Sequence, residues 1–272
     1  MDELIFLAAP FAVCVVLVAI LGYLGLHVLL RKVIFVDLAL AQIVAMGAVI
    51  AFYFGFEHGT PQSFAISLAA AVLGAAIFSW TRMRREKVPQ EAIIGISYVV
   101  ASAATILVAD RAPEGAEHIK ELLAGTIIWA TWPTVFKVLK ICAAAGVVYY
   151  LLRRRFHQIS EHPDQAFEQG LKVRWWDFLF YVLFGLVITI SVEIAGVLMV
   201  FAYLVAPAII ALASSDRWSV RLAIAWILGI VASAAGLLAS YKWDLPSGPS
   251  IVCVLGLMLA IFAGVRLLGR KT

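Results

Sequence analysis

Residues 193–213 read EIAGVLMVFAYLVAPAIIALA, an apolar run opened by the carboxylate of Glu193 and interrupted by Pro207. Its length suits a helix that crosses a bilayer. An ionisable group and a helix breaker at membrane depth are costly and are tolerated where protein or a water-filled cavity surrounds them. The run therefore reads as part of a transport path rather than a plain anchor. The rest of the chain agrees: 64% of its 272 residues are apolar and 14% are charged, against roughly 45–50% and about 25% in a soluble domain. This composition excludes a water-soluble core and predicts an all-α, polytopic integral membrane protein.

Taking about 20 apolar residues per crossing, spans are expected near residues 4–30, 33–54, 64–80, 92–108, 135–152, 178–191, 194–213, 222–240 and 251–268, for eight or nine in all. The sixth and seventh are short and should be separated by a tight reversal near Glu193. The first follows Met-Asp-Glu and exceeds the roughly 7–15 apolar residues of a secretory signal, so a retained helix is expected. No repeat, low-complexity tract or soluble unit is visible, and residues 1–272 read as one transmembrane domain.

Short cytoplasmic loops are enriched in Lys and Arg. With the N-terminus outside and the C-terminus cytosolic, only Arg111, Lys120, Lys137, Lys140 and Lys242 of the 21 basic residues fall on the outer side. The formal charge of +4 is thus a topology signal, and no nucleic-acid motif accompanies it. Trp129, Trp132 and Trp243 on one side and Trp80, Trp175, Trp176 and Trp218 on the other fit interfacial belts. Cys14, Cys142 and Cys253 lie in expected spans without CxxC spacing, and His58, His118, His157 and His162 lack HxxxH or HExxH spacing, so neither a thiolate site nor catalytic metal chemistry is indicated. His27 reads as a satisfied interfacial histidine or a ligand. His118, between Glu117 and Glu121, suits docking of a partner on the outer side or plain solvation.

The longest polar stretch, RRRFHQISEHPDQAFEQGLKVRWWD at 153–177, contains a short helix candidate, with Pro163 suited to its first turn and Gly170 to its end. It reads as a solvated connector or as a surface that takes a push from a soluble partner. Glu193 reads as a gate at the outer mouth of the path, one from each of two subunits, or as a carboxylate solvated at a loop or capping the next helix.

Five segments, in order, resemble one known family. PDQAFEQG at 163–170 is similar to the coupling segment of ABC importer permeases of the zinc/manganese/iron type, with Pro163, Asp164, Ala166, Glu168 and Gly170 at the matching positions. EAIIGI at 91–96 resembles that family's acidic residue before a small-residue turn at Gly95. AGVLMVFAYLVAPAIIA at 195–211 resembles its GxLLVxALLxxPAxxA stretch, with Gly196 and Pro207 in register. GLLASYKWDLPSGPSIV at 236–252 resembles its closing GLxxSYxxDxPxGxxIV, with Asp244, Pro246 and Gly248 in place. FVDLALAQ at 35–42 occupies the position of its GDALSH motif. The resemblance implies the ABC importer permease fold in a prokaryotic cytoplasmic membrane. It also implies a homodimer, two cytosolic ABC ATPase subunits that use the ATP, an extracytoplasmic metal-binding protein, and a divalent cargo of zinc, manganese or iron.

The match departs from the family where a ligand is expected. Aligned without a gap, the family histidine falls on Gln42, its serine on Ala41 and its aspartate on Leu38, with the carboxylate shifted to Asp37. An amide oxygen is a harder donor than imidazole and suits manganese better than zinc. Asp37 and Gln42 diverge by about 140° on one helix, so two facing subunits are needed to aim both at one ion. Gln42 and Met46 share a face, and Met199 and Tyr203 are expected beside them along the path. Gln42 reads equally as a hydrogen-bonded packing residue. Gly95, Gly196, Pro207, Asp244, Pro246 and Gly248 are hinge or turn positions.

The chain has no GxxxxGK[ST] loop, so energy must come from a partner. The expected mechanism is alternating access driven through the helix near residues 163–170. The alternative is an ATP-independent secondary transporter with Asp37 and Glu193 as relays, although no inverted repeat is seen. An enzyme would need a paired nucleophile and base, and none is found.

Overall fold

A helix buried in hydrocarbon satisfies its own backbone and needs no polar face, which is why these apolar runs form long helices of nearly uniform polarity. The computed structural model describes residues 2–57, 59–81, 89–111, 123–125, 127–161 and 163–269. The helices are α1 (Asp2–Leu30), α2 (Val36–Tyr53), α3 (Pro61–Trp80), α4 (Gln90–Ala109), α5 (Trp132–Glu161), α6 (Pro163–Glu168), α7 (Val173–Ser214), α8 (Trp218–Trp243) and α9 (Ser247–Gly269), with a 3-10 turn at Ile127–Trp129. Eight of them, all but α6, are long and apolar enough to cross a membrane, and no strand occurs among the described residues.

Local signals set several boundaries. Pro61 opens α3 behind Thr60, whose hydroxyl oxygen accepts from Ser63 N at 3.3 Å, as an N-cap should. Asp244 ends α8 in the left-handed conformation, and Leu245 N closes back on Ser240 O at 3.0 Å.

The loop after α1 carries Arg31 and Lys32, α5 carries Arg153 to Arg155 before its end at Glu161, and Arg217 and Arg221 open α8, so one end of the bundle is basic. Glu57, Glu193 and Asp244 lie at the other end. α7, α1 and α2 form the enclosed centre. α4 and α9 are the most exposed, with 22% and 11% of their spanning windows buried.

The 42 residues of α7 would reach about 63 Å if straight, twice the roughly 30 Å hydrocarbon thickness. They fold back instead. Asp177 meets Arg31 at the basic end, Gly196 packs against residues 123–125 at the far end, and Ala208 and Ala211 return to Leu26 and Ala225 at the basic end. The reversal is made at Gly196, whose φ of 77° and ψ of 159° are the one non-helical pair inside α7. The expected sixth and seventh spans are therefore present as two helical arms on either side of a tight reversal, and α7 denotes the two together. The turn falls three residues beyond Glu193 because only glycine takes this conformation without strain.

Two other expectations are corrected, unlike that of the reversal. α5 runs on to Glu161 and α7 begins at Val173, so most of the expected cytosolic loop at 153–177 is helical. The small-residue turn expected at Gly95 is absent: Gly95 sits inside α4, and a Cβ there would meet open space. Glu91, one turn earlier, accepts from Ile34 N at 3.3 Å and ties α4 to the loop between α1 and α2.

Candidate functional site

At the basic end, α6 is held between the end of α5 and the start of α7. Ala166 is fully buried and packs with Ile159 and Val173, with Leu171 and Trp176 around them. Its methyl is the foot of the helix; a larger side chain has no space there. Gly170 has φ 72°, and Leu171 N reaches back to Ala166 O at 3.1 Å, the bond of a Schellman stop. Gln158 Nε2 donates to Gln169 Oε1 at 2.6 Å across the same junction. Glu168 and Gly170 are exposed and Pro163 is half-buried. The Asp164 side chain lies outside what is described, as do His58, His118 and His162.

Beneath α6 lies a buried polar node that sequence reading missed. Arg31 donates to Asp177 Oδ1 at 2.5 Å, with both side chains at 0% exposure. Arg31 Nε donates to Ser160 Oγ at 2.8 Å, and Ser160 donates to Phe156 O at 2.7 Å. With the hydroxyl proton so used, His27 must donate from Nδ1 to reach Ser160 Oγ at 2.9 Å. The Arg31 guanidinium also lies 3.9 Å from the Phe180 ring centre, a cation–π contact. Arg31 follows α1, Ser160 ends α5 and Asp177 opens α7, so one cation joins three elements around the α6 hairpin. The only sequence signal was the basic pair Arg31 and Lys32 directly after a long apolar span.

At the other end, Glu193 lines a cavity of about 260 Å³ with Gly59, Trp129, Thr134, Lys137 and Ile194. Lys137 Nζ lies 2.7 Å from Glu193 Oε1, and their side chains are 41% and 17% exposed. Lys137 neutralises the carboxylate expected to gather cations, and the two belong to different helices. A second cavity, of about 470 Å³, is bordered by Asp244, Leu245 and Pro246 with Phe6 and Trp129. In that turn Ser240 donates to Leu245 O at 2.6 Å, so Asp244 and Pro246 serve turn geometry.

The path candidates on α2 do not converge within one chain. Asp37 is buried in the first turn, its Oδ1 accepting from Leu38 N at 2.8 Å and its Oδ2 unpartnered among the described residues. Gln42 donates to Thr105 Oγ1 of α4 at 3.3 Å, and Thr105 donates to Ala101 O at 2.8 Å. Met46 is half-buried against the core. Met199 and Tyr203 are enclosed in the core, Tyr203 within 2.5 Å of Ser233 Oγ. Among the described residues no three His, Cys, Asp or Glu side chains cluster as a metal site.

Three segments meet where α7 turns. A Cβ on Gly196 would lie 2.5 Å from Gly125 N and 2.6 Å from Leu123 O, and one on Gly248 would run into Ala124 O. Gly125, itself at φ 71°, was not singled out by sequence. Pro207 is buried inside the returning arm of α7, where it removes one helical bond.

A family model described as the ABC 3 transport family matches residues 1–265. The chain belongs to that family. The ABC 3 assignment gives the fold just described a permease context, a membrane-spanning subunit of a transporter. Among relatives of this ABC 3 permease, the manganese transport system membrane protein MntC of Halalkalibacterium halodurans is 24% identical over 89% of this chain and 81% of its own. The chelated iron transport system membrane protein YfeD of Yersinia pestis is 25% identical over 82% and 73%. A chain of PsaBC from Streptococcus pneumoniae, solved in complex with Fab, superposes with a TM-score of 0.80 at 22% identity, covering 96% of this chain and 93% of that one. The fold is therefore shared with that solved chain along almost its whole length.

Proposed function

We propose that this ABC 3 permease is the membrane subunit of an ATP-driven importer of a divalent first-row metal ion, manganese, iron or zinc. It works as a homodimer with its basic end in the cytosol. The observation that carries this reading is α6: a six-residue helix clamped at its foot by Ala166 and exposed on its far side, at the end that the positive-inside rule assigns to the cytosol. Such a knob transmits a push from a soluble ATPase into α5 and α7. Because α7 doubles back at Gly196, a tilt there carries to the opposite face, switching access around the path.

The names of the relatives support a metal cargo, manganese in one and chelated iron in another. Glu193 stands at the outer mouth, released from Lys137 when a cation or a delivery protein arrives. Asp37 and Gln42 lie on α2, and a second copy supplies the facing side of the path. The weakly buried faces of α4 and α9 are the surfaces available to that copy. No observation favours a gradient-driven carrier.

The test is reconstitution of the permease into liposomes with and without its ATPase, measuring uptake of manganese, iron and zinc. Uptake that requires both ATPase and ATP is expected. Uptake driven by an ion gradient in the absence of the ATPase overturns the reading.

A further inference from the structure

α1 is flanked by α5 on one side and α8 on the other, and the two flanking helices diverge to leave a groove of about 710 Å³ whose floor is α1. Its chemistry is graded along one axis. Away from the basic end it is lined by Ala19, Ile20, Gly146, Leu222 and Trp226; toward the basic end it is lined by Tyr23, Tyr150, Arg153, Arg154 and Trp218. From Gly146 to Arg153 is about 10 Å along α5, and from Trp226 to Trp218 about 12 Å along α8. The same gradient runs on both walls.

The shaft is lined by apolar side chains and offers no free indole donor, because Trp226 Nε1 already donates to Ala19 O at 3.0 Å. Trp218 closes the basic end edge-on to Tyr23 and His157, at 5.9 and 4.8 Å between ring centres. Arg153 is held at the rim over the Tyr150 ring, 4.2 Å from its centre. None of the described lining residues is acidic, and the one imidazole, His157, pairs with Glu161 at 3.0 Å. A Cβ on Gly146 would touch only the Ile20 side chain, at 3.8 Å, so the shaft has unfilled width at that point.

We propose that this groove binds one anionic phospholipid, with its acyl chains against Ala19, Gly146 and Trp226 and its phosphate on Arg153 and Arg154. Basic pockets between transmembrane helices suit such headgroups. The arginine pair decides against the other apolar occupant, a helix from a second copy of the chain. An apolar helix laid there would cover two guanidinium groups without giving them a partner, whereas a phosphodiester supplies bidentate acceptors. A free phosphate has no use for the apolar shaft.

The experiment is native mass spectrometry of the detergent-purified, delipidated permease with added phosphatidylglycerol, phosphatidylcholine or glycerol phosphate. Wild type is expected to retain one phosphatidylglycerol per chain at least about tenfold more strongly than phosphatidylcholine, and to retain no glycerol phosphate. The exposed double variant R153Q/R154Q should lose that discrimination while keeping weak binding of both lipids. Gly146→Leu, which fills the shaft without changing charge, should weaken both lipids. Equal retention of the two lipids by wild type, an undiminished preference in R153Q/R154Q, or retention of glycerol phosphate overturns the proposal. So does a disulfide between two copies of Ser219→Cys, which would put a second chain over the groove.

Discussion

The Arg31 guanidinium donates to the Asp177 carboxylate at 2.5 Å, with neither side chain exposed. The pair fastens the loop after α1 to the second turn of α7, and Ser160 brings in the last turn of α5. Taking both charges from water is expensive, so the pair adds little net stability over well-packed apolar groups. What it adds is geometric: a charged anchor has one low-energy arrangement, whereas apolar side chains of similar volume have several.

Removing one partner should therefore hurt far more than removing both. Arg31→Met leaves a buried carboxylate without its cation and is expected to cost about 3–5 kcal/mol, and R31M/D177L should recover most of that loss. Thermal unfolding in detergent checks both. If R31M alone melts with wild type, the node does not hold the three elements together.

Lys137 and Glu193 form the opposite case. Both are partly exposed, and such pairs contribute about 0–1 kcal/mol, so Lys137→Gln and Glu193→Gln should leave the melting temperature almost unchanged. Uptake separates them. Lys137→Gln frees the carboxylate and should raise the initial rate at limiting metal severalfold, while Glu193→Gln should lower it by a similar factor. Both effects should shrink in high salt. Identical rates in all three proteins would leave Glu193 as a surface carboxylate.

Gly196 should be intolerant of any side chain. Its positive φ costs a non-glycine residue about 1–3 kcal/mol, and a Cβ would in addition strike the backbone at Gly125 and Leu123. Gly196→Ala is expected to give little monodisperse protein by size exclusion. Normal yield and melting would show that α7 can turn without the close approach of residues 123–125.

Gln42 tests whether α2 selects the cargo. Its amide is spent on Thr105, and losing one such interhelical bond costs about 1 kcal/mol. Gln42→Leu and Thr105→Val should each lower stability by that amount and leave the order of preference among manganese, iron and zinc unchanged. A changed order on competition uptake would make Gln42 a ligand rather than a brace.

Hydrophobic run length made the helices legible, because a bilayer imposes a length and forbids unsatisfied backbone. The family motifs located α6, Gly196 and the turn at Asp244 to Gly248. What escaped was long-range pairing: Arg31 with Asp177, Lys137 with Glu193, and Gly125 against Gly196 are contacts between residues far apart in sequence. No periodicity encodes such partners. Met199 and Tyr203 show the same limit, since an apolar run buried on all sides has no stripe to tell a path-facing position from a core one.

The lever reading of α6 turns on Ala166. Its methyl fills the space over Ile159 and Val173, so a larger side chain must lift the helix. Overpacking of this kind costs about 1–3 kcal/mol, but α6 is a short peripheral element and the spans should stay folded. Ala166→Leu is therefore expected to melt within a few degrees of wild type yet to lose most of its ATP-driven uptake. Glu168→Gln changes the exposed face without moving the helix and should weaken capture of the ATPase only mildly. If α6 were merely a solvated connector, both variants would transport normally. ATP-dependent uptake by Ala166→Leu at the wild-type rate would remove α6 from the mechanism, because a displaced knob cannot deliver the same stroke to α5 and α7.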